Sequence, residues 1–166
     1  MNILLTGESG VGKSEIIKRV LARTGVNAGG MLTEFVNRER EDRQLFMMDL
    51  QREVSLEAVS FNFGDSPTVN MDVFNGFGSE LIGKSKEYDL AIVDELGNFE
   101  NNADKFKDAV LGLLTDEIDV LGVIKPDYRG WLNDIRARND VNIITVTMEN
   151  REEIPGYIIG LLGLVQ

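Results

Sequence analysis

Gly7-Glu8-Ser9-Gly10-Val11-Gly12-Lys13-Ser14 follows the apolar run Ile3-Leu4-Leu5 and precedes an amphipathic stretch. The octet fills every place of the pattern G-x-x-x-x-G-K-[ST]. Its glycines, Gly7, Gly10 and Gly12, let a backbone curl until successive N–H groups face inward, a concavity that suits an anion. Four fixed places in eight residues are rarely met by chance, and the surroundings are the right ones. Asn2 to Thr6 reads as a strand covered on both faces. Lys13 to Ala22 reads as a helix with Ile16, Ile17, Val20 and Leu21 on one side and Gly25 as its stop.

This stretch is expected to cradle a polyphosphate. The positive end of the helix faces the loop, Lys13 reaches the outer phosphates, and the Ser14 hydroxyl is offered to Mg²⁺. The whole octet, with Glu8, Ser9 and Val11, is therefore the predicted binding segment for a nucleoside triphosphate.

Further along, Asp89-Leu90-Ala91-Ile92-Val93-Asp94-Glu95 is an apolar strand that ends in two acids. Beside a phosphate loop, the first acid, Asp94, is expected to hold the metal with Ser14. The second, Glu95, is expected to polarise a water. Glu34, at the end of Thr33-Glu34-Phe35, reads equally as a crevice residue or a solvated edge acid. Phosphoryl chemistry also calls for a cation where charge builds up. Candidates are Lys125, Arg129, Arg136 and Arg138, flanking Trp131; Arg129 is the first choice, because it follows a strand end and precedes Gly130.

The rest of the pattern gives the class. Gly30 to Val36 and Gln44 to Leu50 read as strands of a hairpin around the charged loop 37–43. Val54 to Phe61 reads as a further strand, 61–68 as loop, and Met71 to Ile82 as helix. After residue 89, strand and helix alternate: strands at 89–93, 120–124 and 141–147, helices around Phe106, Trp131 and Ile158. The expectation is an α/β chain, three-layered, whose mostly parallel sheet has an antiparallel hairpin addition, in a single domain over 1–166.

Composition narrows the chemistry. The chain has 166 residues, no cysteine and no histidine, so disulfides, thiolate sites and imidazole general bases are excluded. A formal net charge of −11 argues against general nucleic-acid binding. The apolar stretch at 158–165 is short and interrupted by glycine, so no membrane span is expected, and a monomer in the cytoplasm is the default reading.

Four segments in order resemble a small nucleoside-triphosphatase family found in thermophilic bacteria, archaea and humans, the human one a cancer-related member. They are the loop with Val11-Gly12-Lys13-Ser14, Gly30-Met31-Leu32-Thr33-Glu34, Val93-Asp94-Glu95-Leu96-Gly97-Asn98-Phe99-Glu100, and Thr147-Met148-Glu149-Asn150-Arg151-Glu152-Glu153-Ile154-Pro155. The resemblance covers most of the chain and implies a RecA-like arrangement and Mg²⁺-dependent hydrolysis of nucleoside triphosphates to diphosphates. It would put Asn150 and Arg151 near the base or the sheet edge, whereas local sequence makes Asn150 a cap. Two other readings stay open at this point: a small-molecule or nucleotide kinase with 125–138 as its lid, and a nucleotide-binding switch that does not hydrolyse.

Overall fold

A computed structural model describes residues 1–165. The elements run β1 (Asn2–Thr6), α1 (Lys13–Thr24), β2 (Ala28–Val36), β3 (Gln44–Asp49), β4 (Ser55–Ser60), β5 (Thr68–Val69), and a π-helical turn (Val73–Gly78) leading into α2 (Ser79–Ser85). After these come β6 (Leu90–Leu96), α3 (Asp104–Leu114), β7 (Asp119–Ile124), α4 (Gly130–Arg136), β8 (Val141–Thr145) and α5 (Ile154–Leu161). All eight strands form one sheet in the order β5-β4-β3-β2-β6-β7-β1-β8. The neighbours from β2 to β8 are parallel, whereas β2, β3, β4 and β5 pair antiparallel in succession.

Alternation along the central strands assigns the two faces. Ile3, Leu5, Leu90, Ile92, Leu121 and Val123 pack with Ile16, Ile17 and Val20 of α1 and Ile158 and Ile159 of α5. Leu4, Ala91, Val93 and Val120 point the other way, against Phe74, Ile82, Phe106, Val110 and Leu132. The second layer is tied by edge-to-face rings, with Phe74 5.6 Å from Phe106 and Phe106 6.4 Å from Trp131. The three-layer α/β architecture expected from the alternation is thus present.

β7 lies between the strand that feeds the glycine loop, β1, and the strand that carries the acids, β6. Among the parallel strands, chain order therefore reads 5-1-4-3-2 across the sheet, the RecA-like arrangement implied by the family resemblance.

Several local readings shift. The antiparallel part is larger than a hairpin, since β4 is formed and β5 adds a short edge that starts at Thr68, the last residue of the segment read as loop. The helix expected over Met71 to Ile82 begins as a π turn, and Ser79 N–H is shared between the carbonyls of Gly76 and Phe74. The last helix stops at Leu161, although its apolar stripe continues to Val165. Among the described residues, no helix is long and apolar enough to cross a membrane.

Candidate active site

The glycine loop sits between the end of β1 and α1, with left-handed φ values of 141° at Gly7, 81° at Gly10 and 109° at Gly12. This turn brings Lys13 back over its own loop. The Lys13 ammonium donates to the carbonyls of Gly7 and Glu8, at 2.7 Å each, and the residue is buried. Burial lowers its pKa from the ordinary lysine value, while Glu95 and Asp94 oppose that shift. Gly7, Ser9, Gly10, Gly12, Lys13 and Ser14 line a cavity of about 370 Å³, and Glu95 and Lys125 close it from the sheet side.

Asp94 is buried and forms a hydrogen bond with the Ser14 side chain. Burial is the main cause that pushes its pKa up to about 6, against the lowering effect of that bond. A buried carboxylate already held to a hydroxyl at the foot of a phosphate cradle suits a hard cation. Among the described residues, no cluster of three carboxylate, histidine or cysteine side chains surrounds such an ion. Mg²⁺ typically takes only one or two protein carboxylates, with phosphate and water oxygens completing its octahedron, so the donor set fits.

The pairing of β6 with β7 slips between Asp94 and Leu96, a bulge-like irregularity that aims successive side chains differently. Asp94 turns to Ser14, while Glu95 faces the loop cavity, with Lys125 Nζ 3.8 Å from its Oε1. Lys125 also crosses the face of Phe99, 4.9 Å from the ring centroid. Behind these groups, Glu100 is buried and accepts the Gly97 amide at 2.7 Å. Burial pushes the Glu100 pKa up to about 7. Trp131 Nε1 donates to the Gly97 carbonyl at 3.0 Å. The segment after the acids is therefore held through both polar atoms of the Gly97 main chain.

The basic candidates separate clearly. Lys125 lines the cavity. Arg129 is exposed and lies in a fork with Asp127, at 2.7 and 3.0 Å; it lines none of the cavities around the loop. Arg136 is turned inward, where it donates to the Thr6 hydroxyl at 3.2 Å and to the Lys125 carbonyl. Arg138 pairs with Asp140 at 2.6 Å. The first choice made from sequence, Arg129, is thus not brought to the loop. Asn150 accepts the Thr147 amide at 2.8 Å and donates to the Thr145 carbonyl at 2.9 Å, a turn-capping role. Arg151 joins Gly12, Glu15, Ile16 and Arg19 around a smaller hollow.

Sequence reasoning missed Arg38. It stands in the β2–β3 loop, yet its guanidinium donates to Ser9 Oγ at 2.6 Å. It lines both the loop cavity and a neighbouring cavity of about 550 Å³, which also holds Ser14, Asp94 and Glu34. Glu34 is paired with Arg52 at 2.7 Å. The charged stretch 37–43 was the available signal, but nothing local says that it folds over the glycine loop.

A parallel sheet with this loop at the end of β1, and an acidic pair at the end of β6, defines a P-loop nucleotide-binding protein. Residues 2–159 match the family described as NTPase, and the chain belongs to that family of nucleoside-triphosphate hydrolases. It is 34% identical to nucleoside-triphosphatase THEP1 of Thermotoga maritima, over 98% of this chain and 95% of that protein. The THEP1 protein of Thermofilum pendens is 34% identical over 93% of this chain and 91% of its own length. The crystal structure of THEP1 from Aquifex aeolicus superposes with a TM-score of 0.82 and 26% identity, covering 98% of this chain and 99% of that one. The human cancer-related nucleoside triphosphatase shares the fold, with a TM-score of 0.77 at 23% identity over 97% and 96% of the two chains.

Proposed function

We propose that this chain cleaves the β–γ anhydride of Mg-bound nucleoside triphosphates, giving diphosphate and inorganic phosphate, with Lys13, Ser14, Asp94, Glu95 and Lys125 as the working side chains. The observation that carries this reading is their convergence: Lys13, Ser14, Glu95 and Lys125 line one cavity, although Ser14 and Glu95 are 81 positions apart, and Asp94 joins them through its bond to Ser14.

The loop amides from Gly7 to Ser14 take the phosphate oxygens, and Lys13 exchanges its two loop carbonyls for the β- and γ-phosphates. Ser14 and Asp94 would hold Mg²⁺, which when bound would neutralise phosphate charge. Glu95 orients a water in line with the anhydride and accepts its proton as the new O–P bond forms and the β–γ bond breaks. The diphosphate leaves with the electron pair of that bond. Lys125 is positioned to meet charge developing on the transferring group, its stem steadied against Phe99.

The test is phosphate release by the purified chain over a panel of ribo- and deoxyribonucleoside triphosphates, with and without Mg²⁺. Release that needs Mg²⁺ and is lost in Lys13→Ala is expected. Absence of release from every triphosphate would overturn the proposal.

A further inference from the structure

Three phenylalanines form a row beside the phosphate loop. Phe35 of β2 lies 6.0 Å from Phe61, and Phe61 lies 5.7 Å, edge to face, from Phe99. Cations lie over each ring. Arg38 and Arg43 sit over Phe35 at 5.9 and 5.6 Å, Arg43 also covers Phe61 at 4.2 Å, and Lys125 covers Phe99 at 4.9 Å. Such contacts hold a guanidinium or ammonium in place without neutralising it. Arg43 clamps the base of the β2–β3 loop, bridging the strand ring and Phe61. Arg38, at the start of that loop, is projected across to Ser9.

Arg38 therefore differs from Arg52, which lines the neighbouring cavity and is neutralised there by Glu34. Arg38 donates to a neutral hydroxyl, and its charge is felt at Lys13, where burial is the main cause of a lowered pKa and Arg38 adds to it. It enters the cavity from the β2 side, whereas Lys125 enters from the β7 side, and Glu95 lines the cavity with both.

We infer that Arg38 is an arginine supplied by the chain itself to the transferring phosphate. Resting on the hydrolase reading above, this assigns Arg38 to the transition state: its guanidinium leaves Ser9 and donates two N–H bonds to γ-phosphate oxygens as the β–γ bond lengthens. No proton is transferred; the guanidinium compensates charge as water's oxygen bonds to phosphorus and the diphosphate departs. A planar fork suits two phosphate oxygens better than an ammonium does, so lysine at position 38 replaces the charge without the geometry.

The experiment uses the full chain and the variants Arg38→Ala and Arg38→Lys, with two readouts. The first is kcat and KM for phosphate release. The second is Mg-ADP affinity with and without aluminium fluoride, set beside the affinity for a non-hydrolysable triphosphate analogue. Arg38→Ala is expected to lower kcat by roughly 10²-fold or more, with analogue affinity changed less than about fivefold, and to lose the tightening that aluminium fluoride gives Mg-ADP. Arg38→Lys is expected to fall between.

Near-normal kcat with intact fluoride tightening in both variants overturns the assignment while leaving the hydrolase reading in place. An equal loss of analogue affinity and kcat overturns it too, since that marks ground-state binding. A wild-type chain that releases no phosphate defeats the hydrolase reading instead. In that case the fluoride readout decides the role of Arg38: tightening that depends on Arg38 supports the assignment, and its absence or independence of Arg38 overturns it.

Discussion

Glu100, enclosed by the protein, accepts the main-chain amide of Gly97 at 2.7 Å, two residues past the Asp94–Glu95 pair. This bond fixes the turn on which the acidic pair depends. It also stores a pH dependence.

Burial raises the Glu100 pKa from 4.5 to about 7. Between those values the folded chain binds more protons than the unfolded chain, so this group makes stability fall as pH rises, and its destabilising effect is complete above about pH 7. Gln at this position keeps the carbonyl acceptor for Gly97 and cannot ionise. Glu100→Gln should therefore gain stability relative to wild type between pH 5 and pH 8, by about 2–3 kcal/mol. Urea unfolding at the two pH values measures it, and parallel pH slopes would count against the assignment.

The two acids of β6 should fail in different ways. Glu95→Gln leaves Ser14 and Asp94 intact, so nucleotide affinity should hold while kcat drops about 10²-fold or more. Asp94→Asn weakens the metal's hold and should remove most of the Mg²⁺-dependent part of nucleotide affinity as well as turnover. Equilibrium binding with and without Mg²⁺, beside phosphate release, separates the two.

Lys125 and Arg129 make a direct comparison. Lys125→Met keeps an apolar stem on Phe99 and removes the charge facing Glu95; kcat should fall about tenfold to a hundredfold. Arg129 is 84% exposed at its side chain and bound to Asp127, so Arg129→Ala should cost kcat far less than Lys125→Met does. The reverse ranking in steady-state assays would return Arg129 to the site.

Gly7 has no room for a side chain. A Cβ there would lie 2.5 Å from the Val146 carbonyl oxygen, with φ at 141°. Gly7→Ala should lower stability by about 1–3 kcal/mol and weaken triphosphate binding at least tenfold, because the loop must shift to admit the methyl group. Thermal unfolding and nucleotide titration of the same variant report both effects.

Where one segment carries its own signal, its local structure is legible, as in the strand, glycine turn and helix around 7–14 and the apolar strand that ends in acids at 90–96. The octet 7–14 contains its own turn glycines, its cation and its hydroxyl, so adjacent chain positions suffice to build it. Asp94 and Glu95 followed from an apolar strand with acids at its end. The π turn at 73–78 was not legible, because a single extra residue per turn leaves the apolar spacing nearly helical. The strand Thr68–Val69 is too short to show any alternation.

The sequence by itself determined the glycine loop, the acidic strand and the alternation that makes a parallel sheet, since each depends on neighbours a few residues apart. Only the tertiary structure decided which cations reach the cradle. Arg129 follows a strand end, as the sequence indicated, but pairs with Asp127 two residues away. Arg38 looks like a solvated loop residue, yet it is carried to Ser9 by the β2–β3 pairing and a row of rings drawn from β2, the loop after β4 and the loop after β6. The physical reason is range: a charge acts on whatever lies within a few ångströms, and that neighbourhood is fixed by the packing of strands distant in sequence.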